Sequence, residues 1–121
     1  MPYHILIVDD EESIRYTFQA FLEDAGYLVD TASNQAEAIE RIETDTYDAI
    51  FLDILLGRDN GIEVLRLSRQ RYPNCPVVMV TGAPDISTAS EAVRLGAFDY
   101  VMKPVHQDDL LRKADLAVRH K

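Results

Sequence analysis

Short apolar runs alternate along the chain with stretches in which apolar residues recur every three or four positions. The runs have the length of a β-strand, and the gaps between them are too long for hairpins. They occupy residues 4 to 8, 27 to 31, 48 to 52, 76 to 80 and 98 to 102. The stretches with helical spacing cover residues 14 to 25, 35 to 43, 61 to 72, 86 to 95 and 108 to 119. The pattern therefore predicts five strands and five helices in alternation.

Such alternation predicts a parallel sheet with helices on both of its faces. The runs at 4 to 8, 48 to 52 and 76 to 80 are almost entirely apolar, which is typical of central strands. The run at 27 to 31 is more polar and is expected at an edge. In an open sheet of this kind, ligands bind beyond the carboxyl ends of the strands, where the strand order reverses. We therefore expect the functional residues directly after the strands.

The composition predicts one domain that spans residues 1 to 121. Hydrophobic residues make up 47% and charged residues 27% of the chain, a balance that supports a packed core. The net charge of -9 would repel nucleic acids and anionic membranes, so we expect no direct binding of either. The chain has neither a membrane-spanning run nor a secretory signal, and its single cysteine, Cys75, is expected to be a packed thiol. These features predict a cytoplasmic protein.

Polar residues follow four of the five predicted strands. They are Asp9 and Asp10 after the first strand, Asp53 after the third, Thr81 after the fourth and Lys103 after the fifth. Each has a purely local explanation, since the acids at 9 to 12 and Thr81 can cap helices, Asp53 can begin a turn and Lys103 can be a solvated lysine. Together, however, these residues would meet in one crevice, which favours a functional site.

Three carboxylates in one crevice repel one another, by about 4 kcal/mol for each pair at about 4 Å with an effective dielectric constant of about 20. One lysine does not offset this repulsion. A site with two or three carboxylate oxygens is typical of Mg²⁺, whereas the chain has no Ca²⁺-binding loop and its histidines are too scattered for zinc. With a lysine and a hydroxyl opposite, one carboxylate can accept a phosphoryl group as a nucleophile. The residues thus indicate aspartyl-phosphate chemistry.

Four segments, ILIVDDEE, AIFLDILLGRDNG, PVVMVTG and GAFDYVMKP, carry these residues. Through them the whole chain resembles a receiver domain of a two-component response regulator. The resemblance implies a flavodoxin-like, doubly wound parallel sheet with the strand order 2-1-3-4-5 and five helices. The segment GAFDYVMKPV is most similar to receivers of transcriptional activators, and the basic helix end LAVRHK favours a receiver that belongs to a longer regulator.

The resemblance also implies a role for each residue of the site. By position, Asp53 matches the phosphoacceptor and Lys103 matches the lysine that contacts the phosphoryl group. Asp10 matches a direct Mg²⁺ ligand, Leu55 a ligand through its backbone carbonyl, and Asp9 a ligand that acts through metal-bound water. Thr81 matches the switch hydroxyl and Tyr100 the switch aromatic. The bond between Lys103 and Pro104 is expected to be cis.

The implied function is a phosphorylation-dependent switch rather than an enzyme with an external substrate. A sensor histidine kinase or a phosphotransfer protein would donate a phosphoryl group to Asp53, and the domain would catalyse its own phosphorylation and dephosphorylation. The face formed by the fourth helix, the fifth strand and the fifth helix would then change, and a homodimer would form through it. A C-terminal output domain absent from this chain is implied as a further partner.

The sequence departs from the family pattern in the loop after Asp53 and beside the site. The family usually has proline where this chain has Gly57 and often aspartate where it has Asn60, while Gly61 matches a glycine with a positive φ. Leu55 and Ala83 flank the path by which water would attack the phosphoryl group, and neither side chain can orient that water. The sequence therefore predicts slow self-dephosphorylation.

Three alternatives to the switch differ in how well the residues support them. A receiver-like module that binds partners without phosphorylation stays open, although the complete set of site residues favours the switch. A hydrolase with an aspartyl-phosphate intermediate would need a second acid two residues after the nucleophile, where Leu55 stands. Flavin binding is disfavoured because no phosphate-binding loop rich in Gly, Ser or Thr follows the first strand.

Overall fold

The computed structural model describes residues 2 to 120 as an alternating α/β fold. The strands are β1 His4–Val8, β2 Leu28–Ala32, β3 Ala49–Asp53, β4 Leu55–Leu56, β5 Asp59–Asn60, β6 Val77–Thr81 and β7 Asp99–Met102. The helices are α1 Glu12–Asp24, α2 Gln35–Thr44, α3 Gly61–Arg71, α4 Ile86–Arg94 and α5 Gln107–His120. All five predicted strands and all five predicted helices are present, and β4 and β5 form an additional short hairpin.

Five of the strands form one sheet in the order β2-β1-β3-β6-β7. Every neighbouring pair in this sheet is parallel. With β6 and β7 taken as the fourth and fifth strands of the sheet, the order is the 2-1-3-4-5 that the family resemblance implies. The more polar β2 lies at an edge, as expected, and the strand order reverses between β1 and β3, where a crevice forms beyond their carboxyl ends.

Alternating side chains of the central strands fill two separate cores, one on each face of the sheet. In β1, Ile5 and Ile7 pack with residues of α1 and α5, whereas Leu6 and Val8 pack with residues of α2, α3 and α4. Strands β3 and β6 divide their side chains in the same way. Burial on both faces explains why these runs are almost continuously apolar.

Cys75 is buried, as expected of a packed thiol. Among residues 2 to 120, the structure has no helix with the length and apolar character needed to span a membrane.

Four strands differ from prediction by one residue at one or both ends. Strands β2, β3 and β6 begin and end one residue later than predicted, and β7 begins one residue later. Before β2, the N–H of Tyr27 still donates to the carbonyl of Leu22 at the end of α1, at 3.1 Å, so the chain joins the sheet only at Leu28. As a result, Asp53 and Thr81 are the last residues of β3 and β6 rather than the first residues after them.

The connection between β3 and α3 contains the hairpin that the sequence pattern does not predict. Leu55 pairs with Asn60 and Leu56 with Asp59 in antiparallel register. Gly57 at the turn has a φ of 63°, in the left-handed region that glycine adopts without steric cost. The sequence does contain an indication of this turn, because Gly57 stands where the family usually has proline.

The expectation of a positive φ at Gly61 is wrong. Among the described residues, positive φ values occur at Gly26, Gly57 and Gly96 only. Gly61 is instead required by space, because a Cβ atom there would lie 2.0 Å from the backbone oxygen of Asp53. This close approach lets α3 begin directly against the end of β3.

Candidate functional site

Three aspartates meet at the carboxyl end of the two central strands. Asp9 and Asp10 follow β1, and Asp53 ends β3, which is the neighbour of β1 in the sheet. One carboxylate oxygen of each residue lies within 4.8 Å of those of the other two. Asp9 and Asp53 are buried, whereas Asp10 is exposed. The structure therefore brings together three acids that are up to 44 positions apart in the sequence.

The ammonium group of Lys103 lies between two of these carboxylates. Its Nζ atom is 2.8 Å from Oδ2 of Asp9 and 3.0 Å from Oδ2 of Asp53, and Oε1 of Glu11 is 3.5 Å away. The side chain is only 13% exposed, so the alternative of a solvated lysine is wrong. Burial alone would lower the pKa of Lys103, but the hydrogen bonds to Asp9 and Asp53 raise it above its ordinary value. The site therefore contains a lysine that stays charged.

Asp53 is more deeply buried than the sequence predicts. The sequence predicts a residue in the crevice directly after a strand, yet Asp53 is only 4% exposed. The pKa of Asp53 is raised above its ordinary value. Burial is the largest cause and the charge of Asp9 adds to it, whereas the hydrogen bond from Lys103 acts in the opposite direction. Because an ionised carboxylate is costly to bury without a partner, Lys103 is the main compensation for this charge.

The site residues also make local hydrogen bonds that hold the turns after the strands. Each of three side chains accepts a hydrogen bond from the backbone N–H two residues later in the chain. Oδ1 of Asp9 accepts from Glu11 at 2.9 Å, and Oδ1 of Asp53 accepts from Leu55 at 3.2 Å. Oγ1 of Thr81 accepts from Ala83 at 3.1 Å. The expected turn at Asp53 is therefore present. These bonds leave the Oδ2 atoms of both aspartates free to contact Lys103.

The helix-capping alternative does not hold for Asp9, Asp10 or Thr81, although Glu11 and Glu12 occupy the N-cap and the first turn of α1. The N-cap of α1 is Glu11, whose side chain makes no capping hydrogen bond. The N-cap of α4 is Asp85, whose side chain accepts from the N–H of Ser87, so Thr81 has no capping role. The positions of Asp9, Asp10 and Thr81 therefore need another explanation than the start of a helix.

Two contacts of the site were missed by sequence reasoning. The N–H of Gly57 donates to Oδ2 of Asp10 at 3.1 Å and ties the hairpin to the acidic cluster. Nη1 of Arg15 donates to the backbone carbonyl of Asp9 at 2.8 Å. The contact of Arg15 could have been considered, because Arg15 lies one turn into α1 and is close to Asp9 in the sequence. No local pattern in the sequence indicates the contact between Gly57 and Asp10.

Thr81 and Tyr100 lie in neighbouring strands, and Tyr100 stands apart from the acidic cluster. Thr81 is fully buried, and its carbonyl accepts from the N–H of Lys103 at 2.8 Å. The peptide bond between Lys103 and Pro104 is cis, as expected. Tyr100 is half-buried, and its hydroxyl lies 3.4 Å from Oγ1 of Thr88 in α4. Tyr100 therefore contacts the fourth helix rather than the site.

The donors of the acidic cluster suit a hard divalent cation. Asp9, Asp10 and Asp53 offer carboxylate oxygens only, which are the ligands that Mg²⁺ prefers. Within residues 2 to 120 they are the one group of three or more side chains that could hold a metal ion, and none of the histidines joins them. The residues present therefore fit a magnesium ion better than zinc.

Comparisons with known proteins agree with this fold. The family model of the response regulator receiver domain matches residues 5–115. The alginate biosynthesis transcriptional regulatory protein AlgB of Pseudomonas putida is 45% identical over 106 residues, which cover 88% of this chain and 24% of AlgB. The chain thus spans about a quarter of the length of this relative.

Solved structures share the whole fold. A CheY-like response regulator receiver domain protein from Methanospirillum hungatei superposes with a TM-score of 0.96 at 32% identity, covering 98% of this chain and 95% of that one. A response regulator from Burkholderia pseudomallei, solved with a phosphorylated aspartic acid, a calcium ion and citrate, has a TM-score of 0.86 at 28% identity, covering 98% and 75%. With a family match over most of its length, a fold of this kind and an acidic crevice at the strand ends, the chain belongs to the response regulator receiver domain family.

Proposed function

We propose that the chain is a phosphorylation-dependent signalling switch with Asp53 as its phosphoacceptor. The observation that carries the proposal is the position of the Lys103 ammonium, 3.0 Å from Asp53 and 2.8 Å from Asp9. A cation in that place can neutralise the oxygens of a phosphoryl group that arrives at Asp53. The phosphorylated aspartic acid in the relative from Burkholderia pseudomallei supports the same chemistry here.

In the proposed reaction, a carboxylate oxygen of Asp53 attacks the phosphorus of a phosphohistidine on a sensor histidine kinase or a phosphotransfer protein. The new P–O bond forms as the P–N bond breaks, and the imidazole leaves with the electron pair. Lys103, kept protonated by its neighbours, contacts the phosphoryl oxygens, and the hydroxyl of Thr81 donates a hydrogen bond to one of them. The domain thus supplies the catalytic groups for its own phosphorylation and dephosphorylation.

The proposed metal ligands are four residues around the crevice. Asp10, Asp53 and the backbone carbonyl of Leu55 would hold Mg²⁺ directly, and Asp9 would contact it through water. When bound, the ion supplies positive charge opposite the phosphoryl oxygens. The carboxylate oxygens of the three acids, all within 4.8 Å of one another, support this assignment.

Thr81 and Tyr100 would carry the change to the face formed by α4, β7 and α5. Movement of the Thr81 hydroxyl toward the phosphoryl group vacates space that Tyr100 occupies when it leaves Thr88. On that face, Ile86 and Val93 are 87% and 71% exposed, which supports a role in binding a partner or a second copy of the chain. The mechanism is a shift between two states biased by the new contacts at Asp53.

We further propose that residues 1 to 121 are the receiver domain of a cytoplasmic transcriptional regulator with a C-terminal output domain. The relative AlgB is a transcriptional regulatory protein, of which this chain spans 24%. The net charge of -9 supports an output through protein contacts rather than through direct binding of nucleic acid or membrane by this domain.

Phosphorylation by a small donor tests the proposal. After incubation with phosphoramidate or acetyl phosphate and Mg²⁺, intact-protein mass spectrometry should show the gain of one phosphoryl group. The gain should be absent in Asp53→Asn and retained in Asp45→Asn, which changes an exposed aspartate elsewhere. A wild-type chain that stays unmodified would favour a receiver-like interaction module that acts without phosphorylation.

NMR tests the proposed switch separately. A nuclear Overhauser contact between the Tyr100 ring and Thr88 should be present before phosphorylation and lost after it. In Thr81→Ala the contact should persist in both states, because the hydroxyl that moves is missing. A Tyr100 ring that keeps its contact with Thr88 in the phosphorylated wild type would contradict the switch.

A further inference from the structure

Glu11 lies on the solvent side of the proposed phosphoryl-transfer site, directly after the two aspartates that follow β1. Its Oε1 atom is 3.5 Å from Nζ of Lys103, the same ammonium that contacts Asp9 and Asp53. Whereas those two acids are buried, the side chain of Glu11 is 59% exposed. Lys103 is therefore contacted by two carboxylates from within the site and by one from the solvent.

The start of α1 does not explain the position of the Glu11 side chain. Glu11 is the N-cap residue of α1, but its side chain makes no capping hydrogen bond. The helix dipole favours acidic side chains in this place, yet it acts equally on the neighbouring Glu12, which is exposed and makes no ion pair among residues 2 to 120. What distinguishes Glu11 from Glu12 is the contact with Lys103.

The contact with Lys103 leaves most of the charge of Glu11 uncompensated. One ammonium carries one positive charge, and the carboxylates of Asp9 and Asp53 lie closer to it, at 2.8 and 3.0 Å. The 3.5 Å to Glu11 is longer than an ordinary N–H···O hydrogen bond, and ion pairs of exposed side chains are weak. Glu11 therefore presents a negative charge to any molecule that approaches the site from the solvent.

A phosphodonor on its way to Asp53 would meet this charge. Phosphoryl oxygens that bond to Lys103 at about 3 Å would lie at most about 6.5 Å from Oε1 of Glu11. At that separation, two like unit charges in water repel one another strongly enough to change a rate about threefold. Because the Coulomb energy is proportional to charge, a dianion should be slowed by the square of that factor, about tenfold.

We propose that Glu11 is a specificity-determining residue that slows small phosphodonors in proportion to their negative charge. The inference rests on the proposed function, because it concerns donors that react with Asp53. Glu11 itself takes no part in the formation or cleavage of a bond. It acts through its charge, which lowers the local concentration of anions in front of Lys103.

Two small donors of different charge test the proposal. At neutral pH, acetyl phosphate is a dianion and phosphoramidate is mainly a monoanion. In Glu11→Gln, the second-order rate constant of phosphorylation should rise about threefold with phosphoramidate and about tenfold with acetyl phosphate. Initial rates measured by intact-protein mass spectrometry give these constants. Saturating Mg²⁺ in every variant separates the effect on the donor from a loss of metal affinity.

A neighbouring glutamate and added salt provide the controls. Glu12→Gln removes the same charge from the start of α1 without a contact to Lys103, so both of its rate constants should stay close to those of wild type. At about 1 M NaCl the Debye length is about 3 Å, and the gains of Glu11→Gln should largely disappear. A merely structural effect of the substitution would change both donors equally and persist in salt.

Three results would overturn the proposal. They are equal rate constants in Glu11→Gln and wild type, a gain that is the same for both donors, and the same gains in Glu12→Gln. Failure of the proposed function looks different, because wild type would then gain no phosphoryl group or Asp53→Asn would still gain one. In that case the role of Glu11 falls with the function on which it rests.

Discussion

The buried carboxylates of Asp9 and Asp53 share one cation, the ammonium of Lys103. They are 2% and 4% exposed, so water compensates their charges only weakly. Burial, the largest cause, raises the pKa of Asp53 and so disfavours its charged form, despite the hydrogen bond from Lys103. We therefore expect the ionised form of Asp53 to destabilise the fold.

Replacing the proposed phosphoacceptor should stabilise the protein in a pH-dependent way. Asp53 has a folded-state pKa above its unfolded value of about 4, so between these values the folded state binds more protons and stability falls as pH rises. Asn cannot ionise, and Asp53→Asn should therefore exceed wild type by about 1 kcal/mol at about pH 7. The difference should disappear below about pH 4, where Asp53 is protonated in both states.

Urea unfolding in EDTA across this pH range measures the effect. Asp45→Asn is the control, since it removes the charge of an exposed aspartate and should show no such rise with pH. An Asp53→Asn variant that is less stable than wild type at neutral pH would mean that the contact with Lys103 outweighs burial.

The lifetime of the proposed aspartyl phosphate should depend on Leu55. Its side chain is 55% exposed beside Asp53 and has no group that could orient an attacking water. Leu55→Asn or Ala83→Glu should shorten the lifetime by up to about 100-fold, the low end of what a positioned polar group contributes. The loss of the phosphoryl group over time, followed by mass spectrometry, gives the rate.

A matched variant controls for the change from leucine to asparagine itself. Leu28 in the edge strand β2 is 54% exposed, so Leu28→Asn repeats the substitution at equal exposure away from the site. Its phosphoryl lifetime should equal that of wild type. Unchanged lifetimes in Leu55→Asn and Ala83→Glu would show that these positions do not limit hydrolysis.

At the scale of elements, the connection from β3 to α3 determines how closely the third helix approaches the site. The hairpin of β4 and β5 lies between them, and its Gly57 donates to Asp10. Gly61 then starts α3, and its N–H donates to the carbonyl of Ile54 at 2.7 Å. The loop is thus held at both ends by contacts with the strand ends that carry the acids.

Gly61 should tolerate no side chain. A Cβ atom would lie 2.0 Å from the backbone oxygen of Asp53, so Gly61→Ala should lower the free energy of unfolding by about 3 kcal/mol. Gly82 is the control, because a Cβ there would come no closer than 3.7 Å, to the Lys103 side chain, and Gly82→Ala should cost less than about 1 kcal/mol. Equal midpoints for the two variants in urea unfolding would contradict this account.

At the scale of the whole molecule, a net charge of -9 adds to the local repulsion among the three aspartates. A cation that binds only the folded cluster should therefore stabilise the domain by mass action. The same negative charge should disfavour the binding of nucleic acids and anionic membranes. Basic protein surfaces are therefore the expected partners.

Magnesium should raise the stability of the unphosphorylated protein. At a free concentration ten times the dissociation constant, the gain is about 1.4 kcal/mol. It should appear as a higher midpoint of thermal unfolding relative to NaCl at the same ionic strength, and chelation should reverse it. Asp10→Asn should lose most of the gain. An equal gain in that variant would place the magnesium effect elsewhere on the acidic surface.

Much of the fold was predictable because its signals are local. Ile5 to Val8 are apolar without interruption, since both faces of β1 are covered. The hairpin at Gly57 was missed because its strands are too short to show a period. The role of Gly61 was misjudged because the atom that excludes its side chain belongs to Asp53, eight positions earlier.

The sequence by itself determined the alternation of strands and helices and therefore the edge at which Asp9, Asp10 and Asp53 would lie. Periodicity and strand order suffice for that, because the carboxyl ends of parallel strands share one edge of the sheet. Only the tertiary structure decided that Lys103 lies between Asp9 and Asp53 and that Asp53 is buried. The reason is physical: distances and burial arise from contacts between residues as far apart as 94 positions, which no local pattern encodes.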